Sequence, residues 1–277
     1  MAPLQNKIDF ALIFMAKNAN PNGDPLGGNR PRTTSDGLGE VSDVCLKRKI
    51  RNRLQLEGKD IFVQMDDRCT DGFNALSTRY NSFLTTLTAE ERKSKDIVSS
   101  KACEKWIDVR SFGQLFAFKA ANNTAEVSIG IRGPVTIQSA FSTEPVIVET
   151  IQITKSVNSE PTDDGKKSSD TMGLKHRVNK AIYVTYGSMS PQLAEKTGFN
   201  DEDANEIKKA LITLFEGDES SARPSGSMQV LKLIWFKHKN KAGQYSSVKV
   251  HGSVKVANDG TVTIEQLEGL VPEVLEG

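Results

Sequence analysis

Two neighbouring sets of side chains early in the chain have types and spacing suited to holding a polyanion. Between Lys47 and Arg53 five of seven residues are basic. On a helical wheel Lys47, Arg48 and Arg51 fall on one arc roughly 100° wide, opposite the stripe of Leu46, Ile50 and Leu54. Such a helix buries one side and offers cations on the other. Just before it, "NANPNGDPLGGNRPR" (18–32) supplies Asn20, Asn22, Gly23, Gly27 and Gly28. Backbone N–H groups there can approach phosphate closely, because glycine has no Cβ in the way. Arg30 and Arg32 flank Pro31, which stiffens their spacing. The implied chemistry is phosphate tracking, in which charges position a nucleic-acid backbone and read no base. A plainer reading stays open: a solvated helix face after an ordinary Gly/Pro/Asn loop. The chain has no P-loop consensus, so nucleotide hydrolysis is not indicated.

The elements that must position these residues are legible in outline. "KIDFALIFMA" has the apolar density of a strand buried on both faces, and it runs into the glycine-rich loop. "SDVCLKRKIRNRL" reads as a helix with Ser42 as N-cap and Asp43 in its first turn. From Glu57 to Asp108 the pattern is polar and helical, with "TDGFNALSTRYNSFLTTL" and "AEERKSKDIVSSKACEKWI" as helices of an inserted lobe. Strands return in "AEVSIGIRGPVTIQSAF" and "PVIVETIQIT". The polar stretch 155–172 lies between two β-prone arms, which predicts a long projecting hairpin with a mobile tip. A helix, "NDEDANEIKKALITLFEG", follows, and "GSMQVLKLIWFKH" and "SSVKVHGSVKVA" close the fold as strands. The order is that of an α+β, ferredoxin-like sheet carrying two large inserts.

Composition bounds the function. The chain of 277 residues is 37% hydrophobic and 26% charged, an ordinary globular balance. Its longest early apolar run, Phe10–Ala16, is too short to span a bilayer, and no leader pattern precedes it. Cys45, Cys69 and Cys103 are odd in number and unpaired in spacing, which suits a reducing cytoplasm and argues against a disulfide or zinc framework. Net charge is only +1, yet the acidic tail beyond Asn258 holds no base. A local basic patch on a neutral protein fits one polyanion on a defined track.

The run "NANPNGDPLGGNRPRTTSDGLGEVSDVCLKRKIRN" resembles the start of the repeated backbone subunit of type I CRISPR surveillance complexes (Cascade). This is the Cas-seven family of the RAMP superfamily, with its strand leading to a "GN-x-R … VS-x-x-LKR-x-IR" segment. The likeness continues in order through "DVRSFGQLF" (108–116), "GIRGPVTIQSAFSTEPV" (130–146), "TMGLKHRVNKAIYVTYG" (171–187) and "SSARPSG" (220–226), and is closest to the subtype I-C branch. The resemblance implies a hand-like fold: an RRM-like palm (1–56, 109–149 and 179–277), helical fingers (57–108) and a β-hairpin thumb (150–178). It implies a non-catalytic subunit that polymerises head-to-tail along CRISPR guide RNA in antiviral defence, presenting its bases for pairing with target DNA. The expected partners are the guide, target DNA by way of the guide, further copies of the chain, and RNA-end-capping, large and small subunits. No membrane, metal or cofactor is expected.

By the same likeness Asn20, Asn22, Arg30, Arg32, Lys47, Arg48 and Arg51 would contact the RNA backbone. Ser42 would either cap its helix or help bind phosphate. Arg110 would touch RNA or pair with Asp108 or another core acid. Gln138 and Ser139 would add a further RNA contact. In the thumb, Met172 would be an apolar wedge or part of the hairpin's packed base, while Lys175, His176 and Arg177 clamp adjacent phosphates. The palm lacks the RRM aromatic signature, so base stacking on the sheet is not expected. Aromatic residues make up 6% of the chain, and none lies between residues 15 and 61. Two alternatives stand beside this reading. Type III backbone subunits cut RNA with a loop acid, and Asp24 and Asp36 lie in the glycine-rich region, although paired carboxylates at ligand spacing are missing. A standalone RRM-like RNA-binding protein is the other.

Overall fold

The apolar run near the N-terminus forms β1 (Ile8–Ala19), the middle of the main sheet. In the computed structural model, which describes residues 2–118, 128–157 and 172–277, both faces of this strand are covered. After it come β2 (Gly23–Asp24), β3 (Arg30–Pro31), β4 (Leu38–Val41) and α1 (Asp43–Leu56). The inserted lobe holds α2 (Leu76–Thr85), α3 (Ala89–Lys93), α4 (Lys95–Lys105) and α5 (Ile107–Phe112). Next are β5 (Gly113–Phe116), β6 (Ile129–Arg132), β7 (Val135–Ile137), β8 (Ala140–Pro145), β9 (Val148–Thr154) and β10 (Met172–Met189). The last part contains α6 (Pro191–Thr197), α7 (Asp201–Ile212), β11 (Met228–Lys237), α8 (Ser247–Gly252), β12 (Val254–Val256), β13 (Val262–Ile264) and β14 (Glu273–Glu276).

The architecture is α+β, with a main sheet in the order β14-β11-β1-β10-β8-β4 and with β7 and β9 also paired to β10. β1 runs antiparallel to β10 from Ile8↔Met189 to Ala19↔Val178. Side chains alternate across a strand, so β1 feeds two cores. Phe10, Leu12 and Phe14 pack with Leu46, Ile50 and Leu54 of α1 and with Ile207 and Leu211 of α7. Ala11 and Ile13 face Ile182, Ile234, Phe236, Val250 and Leu270 on the other side. One glycine shows how close the packing is: a Cβ on Gly187 would stand 2.2 Å from the ring of Phe10. Among the described residues no helix is long and apolar enough to cross a membrane.

A separate core holds the helical lobe together, built from Phe62, Tyr80, Phe83, Trp106 and Phe116, with Ile129 reaching in from β6. Buried Arg79 organises its polar side: Nε and one amino group grip Asp71 at 2.6 and 2.8 Å, and the carbonyls of Phe62 and Phe73 accept from the guanidinium. That grip holds the Asp71 carboxyl down to about 2. A carboxylate lowered in the folded state adds stability that is complete above its ordinary value near pH 4 and is lost as pH falls toward 2. Asp71→Asn should therefore flatten the dependence of unfolding midpoint on pH between 4 and 2, measured by thermal melts. A slope identical to that of the unchanged protein would refute the linkage.

Three of the departures from the expected elements bear on how the chain packs. Ser94 caps α4 by accepting from the Ile97 amide and so splits the single helix expected over 89–107. "SSVKVHGSVKVA" begins as α8, because Ser246 accepts from the Lys249 amide and Val250 drops into a core; only β12 is strand. The acidic tail ends in β14, whose Glu276 and Glu273 pair with Lys232 and Lys208. In the span expected to be a hairpin, β9 pairs with the first part of β10, from Met172↔Thr154 to Val178↔Val148. Its expected tip, 158–171, lies outside the described residues.

Candidate nucleic-acid interface

The glycine-rich loop is organised by its polar side chains. Asn20 is buried; its backbone N–H donates to the Ala222 carbonyl and its side-chain amide to the Asn29 carbonyl at 2.7 Å. Asn22 Oδ1 accepts from both the backbone N–H and the hydroxyl of Ser42, each at 2.9 Å. The Asp24 carbonyl accepts from the amides of Gly27 and Asn29, and its Oδ1 accepts from Leu26 and from Arg32. Gly28 (φ +68°) and Asn29 (φ +58°) turn the chain back. Asp24 is thus the turn's organiser, and the Gly27 amide is spent within the loop. Arg30 emerges from it exposed.

α1 begins where expected. Ser42 is its N-cap, accepting from the Cys45 amide at 3.3 Å while its proton goes to Asn22. The cationic side differs from the wheel's implication, because each basic residue of the helix is held by protein. Lys47 pairs with Asp43 at 3.0 Å, Lys49 is buried against Asp218, and Arg53 reaches Glu57 at 2.7 Å. Arg48 donates to the Val63 carbonyl at 2.5 Å, and burial pushes its guanidinium down to about 10. Arg51 Nε donates to Asp108 at 2.9 Å, with its guanidinium over the Phe112 ring. The inserted lobe covers this side of the helix, and its residues are the ones that bind Arg48 and Arg51.

A residue not singled out in the sequence joins the loop to the β9–β10 pair. Thr150 of β9 accepts from an Arg30 amino group at 3.3 Å and lies 3.0 Å from His176 Nδ1 across the strand pair. Arginine only donates, so the threonine oxygen accepts from Arg30 and shares a further hydrogen bond with Nδ1. Arg177 donates to Glu149 at 2.9 Å on the other face of the same pair, where Lys175 stands opposite Ile151. Arg30 therefore meets His176 through Thr150, while Asn20, Asn22, Arg32 and Ser42 organise the loop and helix start beside it. Nothing in the local sequence marks Thr150, which is 120 residues from Arg30.

The other sequence-derived residues lie apart. Arg110 makes a bidentate pair with Asp203 at 2.9 and 2.7 Å, so its partner is a core acid at the start of α7. Gln138 and Ser139 lie beside β10 near Tyr186, whose carbonyl accepts from the Gln138 amide. That is ten residues along the strand from His176, about 33 Å at the usual rise. Met172 is 62% exposed, together with Leu174 at 64% on the same hairpin face, and so does not pack into the hairpin's base. Asp36 is exposed at a turn, and no three His, Cys, Asp or Glu gather as a metal cluster among the described residues.

Comparison with known proteins places this geometry in a family. The family described as "CRISPR-associated protein Cas7" matches residues 6–270. The CRISPR-associated protein Cas7 of Haloferax volcanii is 22% identical over 284 residues, covering 98% of this chain and 81% of that protein. Among solved structures, a chain of a "CRISPR RNA-guided surveillance complex, pre-nicking" superposes with a TM-score of 0.51 at 17% identity, covering 87% of this chain and 81% of that one. The structural likeness is one of fold, and it agrees with an RRM-like palm bearing a helical lobe and a hairpin.

Proposed function

The chain belongs to the CRISPR-associated Cas7 family, and from that premise we propose that it is a non-catalytic backbone subunit that stacks head-to-tail along a guide RNA. On this reading residues 57–108 are the fingers, 150–178 the thumb and the remainder the palm. The observation that carries it is the junction of loop and hairpin, where Thr150 ties exposed Arg30 to His176 beside Lys175 and Arg177. A guanidinium and an imidazole are thereby held together on one strand pair, a spacing suited to phosphates of one backbone. Lys47, half-buried and bound only to a half-exposed Asp43, adds to the track by exchanging that surface pair for phosphate. Arg48, Arg51 and Arg110 support the track by fixing the fingers to the palm. Exposed Met172 and Leu174 give the thumb an apolar edge able to unstack a base. A thumb that reaches the next copy makes a heterologous contact, which builds a helix when its rotation does not close. Sequence specificity then belongs to guide pairing with target DNA.

The test is co-expression with a CRISPR repeat–spacer transcript, followed by nuclease protection and particle mass. Protected guide in large particles, with evenly spaced cleavage at displaced nucleotides, is expected. Replacing residues 150–177 by a short Gly/Ser linker should reduce those particles to single subunits. Retention of long particles without the hairpin would overturn the head-to-tail role.

A further inference from the structure

We infer that the sheet face turned away from α1 and α7 carries a seat for one unstacked nucleobase of single-stranded nucleic acid, an RNA-binding site separate from the loop–thumb junction. A cleft of about 440 Å³ opens there. Its floor is Phe141, Val184 and Tyr186, and one wall runs from His251 to Val256. Phe141 and Val184 are cross-strand partners, so the ring stands on the sheet surface, and it is 41% exposed. That exposure is unusual here: Phe10, Phe14, Phe236 and Tyr183 are all buried. Beside it the Tyr186 ring is stacked on His251 at 5.0 Å and 24°, and His251 Nε2 is 3.1 Å from the Gly187 carbonyl, within donating distance. The two walls are joined, since Asn258 donates to Glu144 of β8 at 3.0 Å.

Polar groups in the cleft match the edge of a base. Thr143 is among the residues that line it. Gln138 presents an exposed amide whose backbone is anchored to Tyr186, and Lys255 supplies an exposed cation at the rim. An aromatic face, an amide for the base edge and a lysine for the phosphate make up the stacking-platform mode of single-strand binding. The volume suits one nucleotide and falls in the range of small-ligand sites. Interruption of the apolar surface by Gln138, Ser139, Thr143 and Lys255 disfavours a protein helix as occupant. The missing RRM signature led to the expectation that this sheet stacks no base; these rings come from other positions. The inference rests on the RNA-binding reading for the presence of a strand, and on the cleft alone for its place.

The experiment uses the full chain with an oligouridylate carrying 4-thiouridine, photocrosslinking and peptide mapping, with affinity measured in parallel. Crosslinks to peptides containing Phe141 or Tyr186 are expected. Phe141→Ala should weaken binding about five- to tenfold, the effect of losing one stacked base. Phe141→Leu, which keeps apolar packing but loses the π-face, should weaken it comparably, and Phe141→Tyr should preserve it. Crosslinks confined to 20–34 and 148–178, with both variants binding normally, would overturn the inference and leave the proposed function intact. Failure of the unchanged chain to bind RNA, alone or in complexes, would remove both. Normal RNA binding by Phe141→Leu with loss of particle mass would make this face a contact between copies and would also overturn it.

Discussion

Asp108→Ala is expected to destabilise the protein by about 3–5 kcal/mol, the usual effect of removing one partner from a buried ion pair. The carboxylate is 1% exposed and serves three donors: Oδ1 accepts from the Phe62 amide at 2.8 Å, and Oδ2 from the Val63 amide at 3.1 Å and Arg51 Nε at 2.9 Å. Alanine leaves two amides without their acceptor and a half-buried guanidinium without its counter-charge. Orphaned amides alone cost about 1–3 kcal/mol each. At a few degrees per kcal/mol for a chain of this size, the thermal midpoint should fall by about 10 °C. Arg51→Met in the Asp108→Asn background should cost less than the sum of the two single changes, because the second removes the charge that the first left unpaired. A midpoint within about 2 °C of the unchanged protein for Asp108→Ala would sink this account. The same joint explains why Arg51→Ala is a poor probe of phosphate contact: it loosens the inserted lobe from α1 before it removes any charge from RNA.

This joint also marks where sequence reasoning ran out. The stripe Leu46, Ile50 and Leu54 was legible because it depends only on helical period, and all three side chains are buried as that period requires. The Ser42 cap was legible because a cap is a local bond. The opposite arc was legible as a direction and not as a surface. Whether a cation meets water or protein depends on what the chain brings back, and Lys49 finds Asp218 across 169 residues. β1 could be placed between two cores from its unbroken apolar run. β14 could not, since the four residues Glu-Val-Leu-Glu show no alternation, and their pairing with β11 is set by tertiary contact. In α8 the alternation of Val and Lys suggested a strand. One Ser246 bond and the burial of Val250 decided otherwise.

Thr150 is the consequence of such long-range pairing that matters most for RNA. At low salt, Arg30→Ala should weaken guide-length RNA binding about tenfold, the scale of one charge-assisted hydrogen bond, and Arg30→Ala with Lys175→Ala by about the product. For single strands each lost phosphate contact should flatten the plot of log affinity against log salt by about 0.7. Thr150→Val keeps the shape and changes no charge, yet it removes the oxygen that holds the Arg30 amino group at 3.3 Å and faces His176 Nδ1 at 3.0 Å. Its effect should be smaller, about threefold, the order expected of a neutral hydrogen bond. In the Arg30→Ala background most of that effect should vanish, because a positioning residue has little left to position. Strict additivity of Thr150→Val and Arg30→Ala would mean that the threonine does not act through the arginine. An unchanged salt slope in the Arg30→Ala, Lys175→Ala protein would mean that RNA does not run past Arg30 and the β9–β10 pair. Both outcomes can be read from one binding series at four salt concentrations, and the hairpin's exposed edge at Met172 and Leu174 gives the internal control. Met172→Ala should leave the salt slope unchanged while altering base displacement, since an apolar wedge releases no counterions.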